Sequence, residues 1–125
     1  SPSFKDNYIS VIDVMPTLIQ LSGATYIPET VEGKSIWNVL SENDTINTKV
    51  YVRGHLQESI IQKPWKLIRT RHKDLESDFE LYNVESDPEE KQNLVKDNPT
   101  VYLKMKSELE KQFAKDAKNV NLSKK

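Results

Sequence analysis

FELYNVESDPEEKQNL, from Phe79 to Leu94, decides how this chain is read. Phe79 to Val84 is a run of strand formers bounded by polar residues. Asp87-Pro88-Glu89-Glu90 then has the form of a helix start. Asp87 stands as the N-cap, Pro88 at the first helical position, and Glu90 where a capping-box carboxylate belongs. The stretch is therefore expected to close a sheet with a strand, turn sharply and begin a short capped helix on the far side.

On its C-terminal side, Asp97-Asn98-Pro99 starts another helix, with Asn98 as cap and Pro99 first. Val101, Tyr102, Met105, Leu109 and Phe113 recur at helical spacing and make a stripe suited to covering one face of a sheet. Lys104, Glu108 and Lys111 are spaced for ion pairs along the outer side, and the end is expected to fray from Lys118. On the N-terminal side lie three β-rich runs: Lys49 to Arg53 (KVYVR), Glu58 to Gln62 (ESIIQ) and Trp65 to Thr70 (WKLIRT). Gly54-His55 separates the first two, and Lys63-Pro64 makes a hairpin of the second and third. Trp65, Leu67 and Arg69 alternate with Lys66, Ile68 and Thr70, and the polar run Arg71 to Asp78 leads into the Phe79 strand. The expected fold is α+β, a small antiparallel sheet of about four strands packed on a C-terminal helix.

Further upstream, Ile9, Val11, Ile12, Met15, Leu18, Ile19 and Leu21 place apolar side chains around a helix from Tyr8 to Ser22, which Asp6 or Ser10 could cap and Gly23 would stop. Pro16 is tolerated if a turn at Asp13 puts it in the first helical turn, and kinks the helix otherwise. A helix apolar on nearly all sides needs cover from more than one partner. It is expected to belong to a larger domain and, if left uncovered, to self-associate. Thr25 to Val31 and Ser41 to Thr48 read as loops. The expected division is 1–48, a helix (8–22) and connecting loop from the larger domain, and 49–125, the α+β subdomain.

Composition narrows the function. With 36% hydrophobic and 30% charged residues and a net charge of -1, the chain has no bulk basis for binding nucleic acid. No apolar run reaches the roughly 20 residues of a membrane span. The absence of cysteine removes disulfides, thiolate nucleophiles and Cys-based zinc sites together. Asn43-Asp44-Thr45 and Asn121-Leu122-Ser123 match the glycosylation pattern, which matters only in a eukaryotic secretory setting.

Three strings share one family resemblance. Glu80-Leu81-Tyr82, Asp87-Pro88-Glu89-Glu90 and Asn93-Leu94 resemble an element near the C-terminus of type I sulfatases, arylsulfatase-like members of the alkaline phosphatase superfamily. Ile12-Asp13-Val14-Met15-Pro16-Thr17-Leu18, with Leu21 and Gly23, resembles the sulfatase helix that packs on the large sheet. Glu32-Gly33-Lys34-Ser35-Ile36, with Leu40, resembles a third sulfatase string, with Glu for the usual Asp and Ile for the usual Leu. The resemblance implies a parent that hydrolyses sulfate esters with a formylglycine nucleophile and calcium, exported to the periplasm, a lysosome or the outside. This chain has neither the C/S-x-P-x-R motif that makes formylglycine nor an adjacent Asp pair for calcium. No catalytic or metal-binding residue is therefore assigned to it, and alone it is expected to be inactive. Its expected partner is the remainder of the parent. Its expected role is to stabilise the fold and border the cleft for a sulfate-ester substrate. The alternatives are the tail of a related phosphodiesterase or phosphonate hydrolase, and a non-catalytic binding or assembly module.

Within that resemblance, His72 falls roughly where some sulfatases place a substrate-contacting histidine, and with Arg71 and Lys73 it forms a cationic loop able to meet a sulfate or carboxylate. His55 is a second candidate. A solvated loop and a turn residue are the plainer readings of the two. The acidic run Ser86 to Glu90 is better explained by helix capping than by a metal, Trp37 and Trp65 by core packing than by sugar stacking, and the lysines of the last helix by a solvated face than by a polyanion.

Overall fold

The computed structural model describes residues 9–26, 28–29, 31–42 and 49–123. It divides into two compact units, residues 1–50 and 51–125.

The C-terminal unit is built on a four-stranded sheet in the order β1-β2-β3-β4: β1 Val50–Arg53, β2 Gln57–Gln62, β3 Trp65–Thr70 and β4 Asp78–Asn83. β2, β3 and β4 run antiparallel, and the register sets Ile60 opposite Leu67 and Leu67 opposite Leu81. Side chains alternate across a strand, so these three share a face. Met105 and Leu109 of the long helix Pro99–Ser123 complete a buried core with them, and Val101, Tyr102 and Phe113 pack around it. Fully burying side chains of this kind contributes about 1.5–3 kcal/mol each. The helix begins as its sequence indicates, with Tyr102 N–H donating to the Asn98 carbonyl at 3.0 Å. It does not fray from Lys118 but continues to Ser123.

Between Phe79 and Leu94 the structure departs from expectation in one respect. After β4 there is no short helix. Residues 84–97 form successive turns, and Glu90 takes a left-handed backbone with φ 53°, which ends any helical run. Asp87 still caps, but in a turn: its Oδ2 accepts the Lys91 and Gln92 N–H groups, both at 2.9 Å. Those two donors hold its carboxyl below the usual range. Glu90, expected in a capping box, instead pairs with Lys66 of β3 at 2.5 Å. Asn93 and Leu94 then close the sheet's outer edge. Leu94 N–H donates to the Leu81 carbonyl at 2.8 Å, and Asn93 Oδ1 accepts the Leu81 N–H at 3.1 Å. An edge strand's free backbone groups are thus satisfied by the loop that follows it. Tyr82, on the other face, donates to Glu80 at 2.9 Å. Burial, then the Glu80 carboxylate, pushes its hydroxyl up to about 12.

In the N-terminal unit the expected helix from Tyr8 to Ser22 is shorter and two-part. A 3₁₀ turn, Val11–Asp13, leads into α1, Val14–Leu21, for which Asp13 is the N-cap. Pro16 therefore sits in the first turn, where no intrahelical partner needs its missing N–H. Tyr8 lies outside the described residues. Gly23 ends the segment with φ 77°, a conformation glycine adopts without steric cost. A helix absent from the sequence reading, α2 (Trp37–Glu42), follows. It takes in Ser41 and Glu42, whose polar run reads as loop in the sequence. The long helix Pro99–Ser123 is α3.

Two of the quoted strings meet here. Asp13 is buried and splits its carboxylate, Oδ2 accepting Ser10 N–H and Oδ1 accepting Lys34 N–H, each at 2.9 Å. Thr17 donates to the Asp13 carbonyl at 2.6 Å and accepts Ile36 N–H at 3.0 Å. Gly33 lies so close to the Ile12 carbonyl that a Cβ would overlap it. The first string's Asp and Thr are thus the hydrogen-bond acceptors for the second string's backbone, and the second string's glycine permits their approach. Around this polar knot, the side chains of Val11, Ile12, Val14, Met15, Leu18 and Leu21 are all at least half exposed.

Candidate functional site

In a meander the turns alternate ends, so β1 finishes, β2 starts, β3 finishes and β4 starts at one end of the sheet. Charged side chains collect there. Glu58 of β2 and Arg69 of β3 are paired directly across the hairpin, on the face that carries Ile60 and Leu67. Glu58 is buried to 1% exposure. Taking a carboxylate out of water is costly unless close partners replace its hydration. Arg69 provides Nε at 2.9 Å and Nη2 at 2.5 Å, both to Oε2. Arg71 Nη2 lies 3.0 Å from the other oxygen, Oε1, and Arg53 Nε 3.7 Å from it. Oε1 accepts no well-directed hydrogen bond, so its attraction to these two arginines is by charge and not by an aligned N–H.

α3 covers the inner part of this cluster. The Phe113 ring has Arg53 at 4.5 Å and Arg69 at 4.4 Å from its centroid, stacking that suits the weakly hydrated guanidinium. Asp116, one turn further, accepts Arg53 Nη2 at 2.9 Å. Three guanidiniums thus meet two carboxylates. Arg69 is largely covered at 17% exposure, whereas the Arg53 and Arg71 side chains stand 47% and 48% exposed.

All three residues singled out from the sequence belong to this end. Arg71 follows β3 and its N–H donates to the Leu56 carbonyl at 2.8 Å, tying the β3–β4 loop to the β1–β2 turn that carries His55. His55 is exposed in that turn. His72 Nε2 meets Asp78 Oδ2 at 2.7 Å, so its ring is oriented by the first residue of β4. Arg53, Glu58 and Arg69 escaped notice in the sequence. Counting outward from Lys63-Pro64 places Glu58 against Arg69, an opposite-charge pair at two inward positions, and that was the available signal.

Among the described residues, no group of three or more His, Cys, Asp or Glu side chains could hold a metal ion. In the acidic run, Asp87 serves backbone N–H groups, Glu89 pairs with Lys91 and Glu90 with Lys66. This donor set does not fit calcium, which needs several oxygens turned to one point. Trp65 packs against the core and Trp37 is partly exposed.

Comparison with known proteins fixes the family. The family model described as "N-sulphoglucosamine sulphohydrolase, C-terminal" matches residues 2–119. The chain belongs to this sulfatase C-terminal family. A relative is an uncharacterized protein of Haemophilus influenzae (strain Rd), 29% identical over 93% of this chain and 60% of its own length. Among solved structures, Ps i-CgsB shares the fold with a TM-score of 0.70 at 24% identity, over 85% of this chain and 24% of its own. BT4656, solved in complex with its substrate D-glucosamine-2-N,6-O-disulfate, shares it with a TM-score of 0.58 at 22% identity, over 85% of this chain and 23% of its own. The sulfatase region thus spans about 60% of the curated relative it matches and about a quarter of these solved chains. The small antiparallel sheet and its C-terminal helix are the common architecture.

Proposed function

We propose that this region belongs to an enzyme that hydrolyses sulfate esters of sugars, and that the His55, Arg71 and His72 end of its sheet borders the substrate cleft. The observation that carries the reading is the convergence of these three residues at one end of a domain of the sulfatase C-terminal family. The sugar is supported by the family's description and by the disulfated glucosamine named as BT4656's substrate. Asp78 orients the His72 ring to donate to or accept from a sugar oxygen, and Arg71 supplies an oxyanion donor. The calcium and formylglycine implied by the resemblance would be carried by the remainder of the protein. The apolar face of α1 is suited to packing against that remainder. Export is the compartment that the resemblance supports; among the described residues no helix is long and apolar enough to cross a membrane.

The coding DNA tests the parent activity. Its frame upstream of Ser1 should encode C/S-x-P-x-R and paired aspartates, and a frame that opens beside Ser1 would remove the enzyme reading. The 125-residue chain should show no turnover of an aryl sulfate above a heat-killed control. In the complete enzyme, Arg71→Lys and His72→Gln should raise KM for a disulfated monosaccharide by about tenfold with kcat little changed, the mark of lost uniform binding. An unchanged KM in both variants would refute the cleft role.

A further inference from the structure

We propose that Arg53 and Arg71, held beside buried Glu58, receive a sulfate group of a saccharide, separate from any sulfate being hydrolysed. The proposal deepens the preceding reading and rests on it for the saccharide, making the substrate class one with a further anionic group.

Charge is the first argument. Arg53, Arg69 and Arg71 pair with Glu58 and Asp116, three cations to two carboxylates, so this group of five carries one positive charge in excess. Arg69 is committed, with two of its nitrogens on one oxygen of Glu58 and its plane against Phe113. Arg53 also lies over Phe113 and pairs with Asp116, but it and Arg71 keep about half of each side chain exposed, so these two present the excess to solvent. Geometry is the second argument. Arg71 Nη2 and Arg53 Nε lie 3.0 and 3.7 Å from the same buried oxygen, so the two guanidiniums are near enough for one tetrahedral oxyanion to reach both. Their mutual repulsion, which Glu58 only partly offsets, is relieved when an anion arrives. Direction is the third. Glu58 Oε1 accepts no aligned hydrogen bond, so the Arg71 N–H groups are not spent on it, and guanidinium N–H groups match oxyanion edges well. Glu58 acts as a positioning residue: it holds the arginines in place without touching the ligand. Lys66 and Lys106 do not enter, since one pairs with Glu90 and the other lies over Phe79.

The test is titration of the 125-residue chain with a fully sulfated heparin tetrasaccharide, followed by calorimetry and by NMR of the arginine Nε–Hε groups. The Arg53 and Arg71 signals should shift on binding while that of Arg69 moves least, a readout that needs no variant. The Arg53→Gln, Arg71→Gln double variant should weaken binding by about tenfold or more, as expected for loss of paired charge-assisted bonds. Removing the same charge elsewhere, with Lys104→Ala and Lys111→Ala, should weaken it less than about twofold, the scale of screened surface charges. Arg71→Lys keeps the charge beside Glu58 and guards against a folding failure; it should retain the melting transition and still bind several-fold more weakly, because the planar fork is lost. Equal losses from the arginine and lysine pairs, equal binding of a desulfated N-acetylated tetrasaccharide, or unshifted arginine signals would each overturn the proposal. Binding is read on a chain without the catalytic motif, so such a failure leaves the sulfatase reading standing, and failure of that reading appears in the upstream frame instead.

Discussion

The two units hold their shape by different means. The C-terminal unit has a core of its own, in which Ile60, Leu67, Leu81, Met105 and Leu109 are almost wholly removed from water. The N-terminal unit buries Pro16, Ile36 and Val39 but leaves most of the apolar side chains of Val11 to Leu21 exposed. Its conformation is specified by Asp13 and Thr17, which gather backbone N–H groups from Ser10, Lys34 and Ile36. Polar geometry can dictate a unique arrangement, yet each such bond contributes only about 0.5–1.5 kcal/mol net. An arrangement fixed by polar bonds and rich in exposed apolar surface is complete in form but short of hydrophobic stabilisation. The contrast also separates two uses of a buried carboxylate. Asp13 is matched by neutral backbone donors, Glu58 by cations.

The largest effect expected from breaking this contrast is at Glu58. Glu58→Ala leaves Arg69 covered and unpaired beside Phe113, and removing one partner of a buried pair typically costs about 3–5 kcal/mol. Urea unfolding followed by α3 helicity should show that loss in the midpoint without a change in slope. Glu58→Gln, which keeps the shape and removes the charge, should recover part of it. If both variants melt with the parent chain, the arginines are solvated well enough not to need Glu58, and the buried carboxylate has no structural role.

At Asp13 the expected effect is smaller and local. Asp13→Asn leaves one carbonyl oxygen where two carboxylate oxygens serve Ser10 and Lys34, so one N–H loses its acceptor, at a cost of about 1–3 kcal/mol. Hydrogen exchange should quicken at Ser10 or Lys34, while the amides of Ile60, Leu67 and Leu81 keep their protection. Slowed or unchanged exchange at both sites would show that the carboxylate does not hold this turn. Exchange that quickens throughout β2 to β4 would show instead that the two units do not differ in the way described.

Much of this architecture was legible because the signals are local. The β2–β3 hairpin follows from two β-rich runs around Lys63-Pro64, and α3 from Asn98-Pro99 and a stripe ending at Phe113. The placing of Arg71, His72 and His55 at one end needs the strand order β1-β2-β3-β4, which the separate runs do not state. What escaped depended on the third dimension. The Asp87-Pro88-Glu89-Glu90 string satisfies every local rule for a helix start, but Glu90 is drawn to Lys66 and Asn93 to the free edge of β4, and those distant partners favour turns. α2 is short and lies next to a loop-like run, so its apolar spacing carries little signal. Arg53 could not be joined to Asp116 from sequence, because nothing local says which turn of α3 lies over the end of β1.

The smallest effect concerns Asp87, and pH makes it measurable. Its carboxyl accepts the Gln92 and Lys91 N–H groups, which favour the ionised form and lower its folded pKa. A free aspartate titrates at about 3.9. Below that value the unfolded chain takes up a proton that the folded chain still refuses, so acid favours unfolding until the folded carboxyl is protonated as well. The stability contributed by the charge is therefore present above the unfolded value and lost as pH falls through the folded one. Asp87→Asn keeps an acceptor in the turn but removes the charge. Its melting temperature should lie slightly below that of the parent chain at pH 6, with the gap closing as the pH is taken from 5 towards 2. A gap that stays constant across that range would mean that the turn is held by its shape and not by the carboxylate's charge. The Asp-Pro string would then be a matter of backbone geometry, as Gly33 is in the other unit.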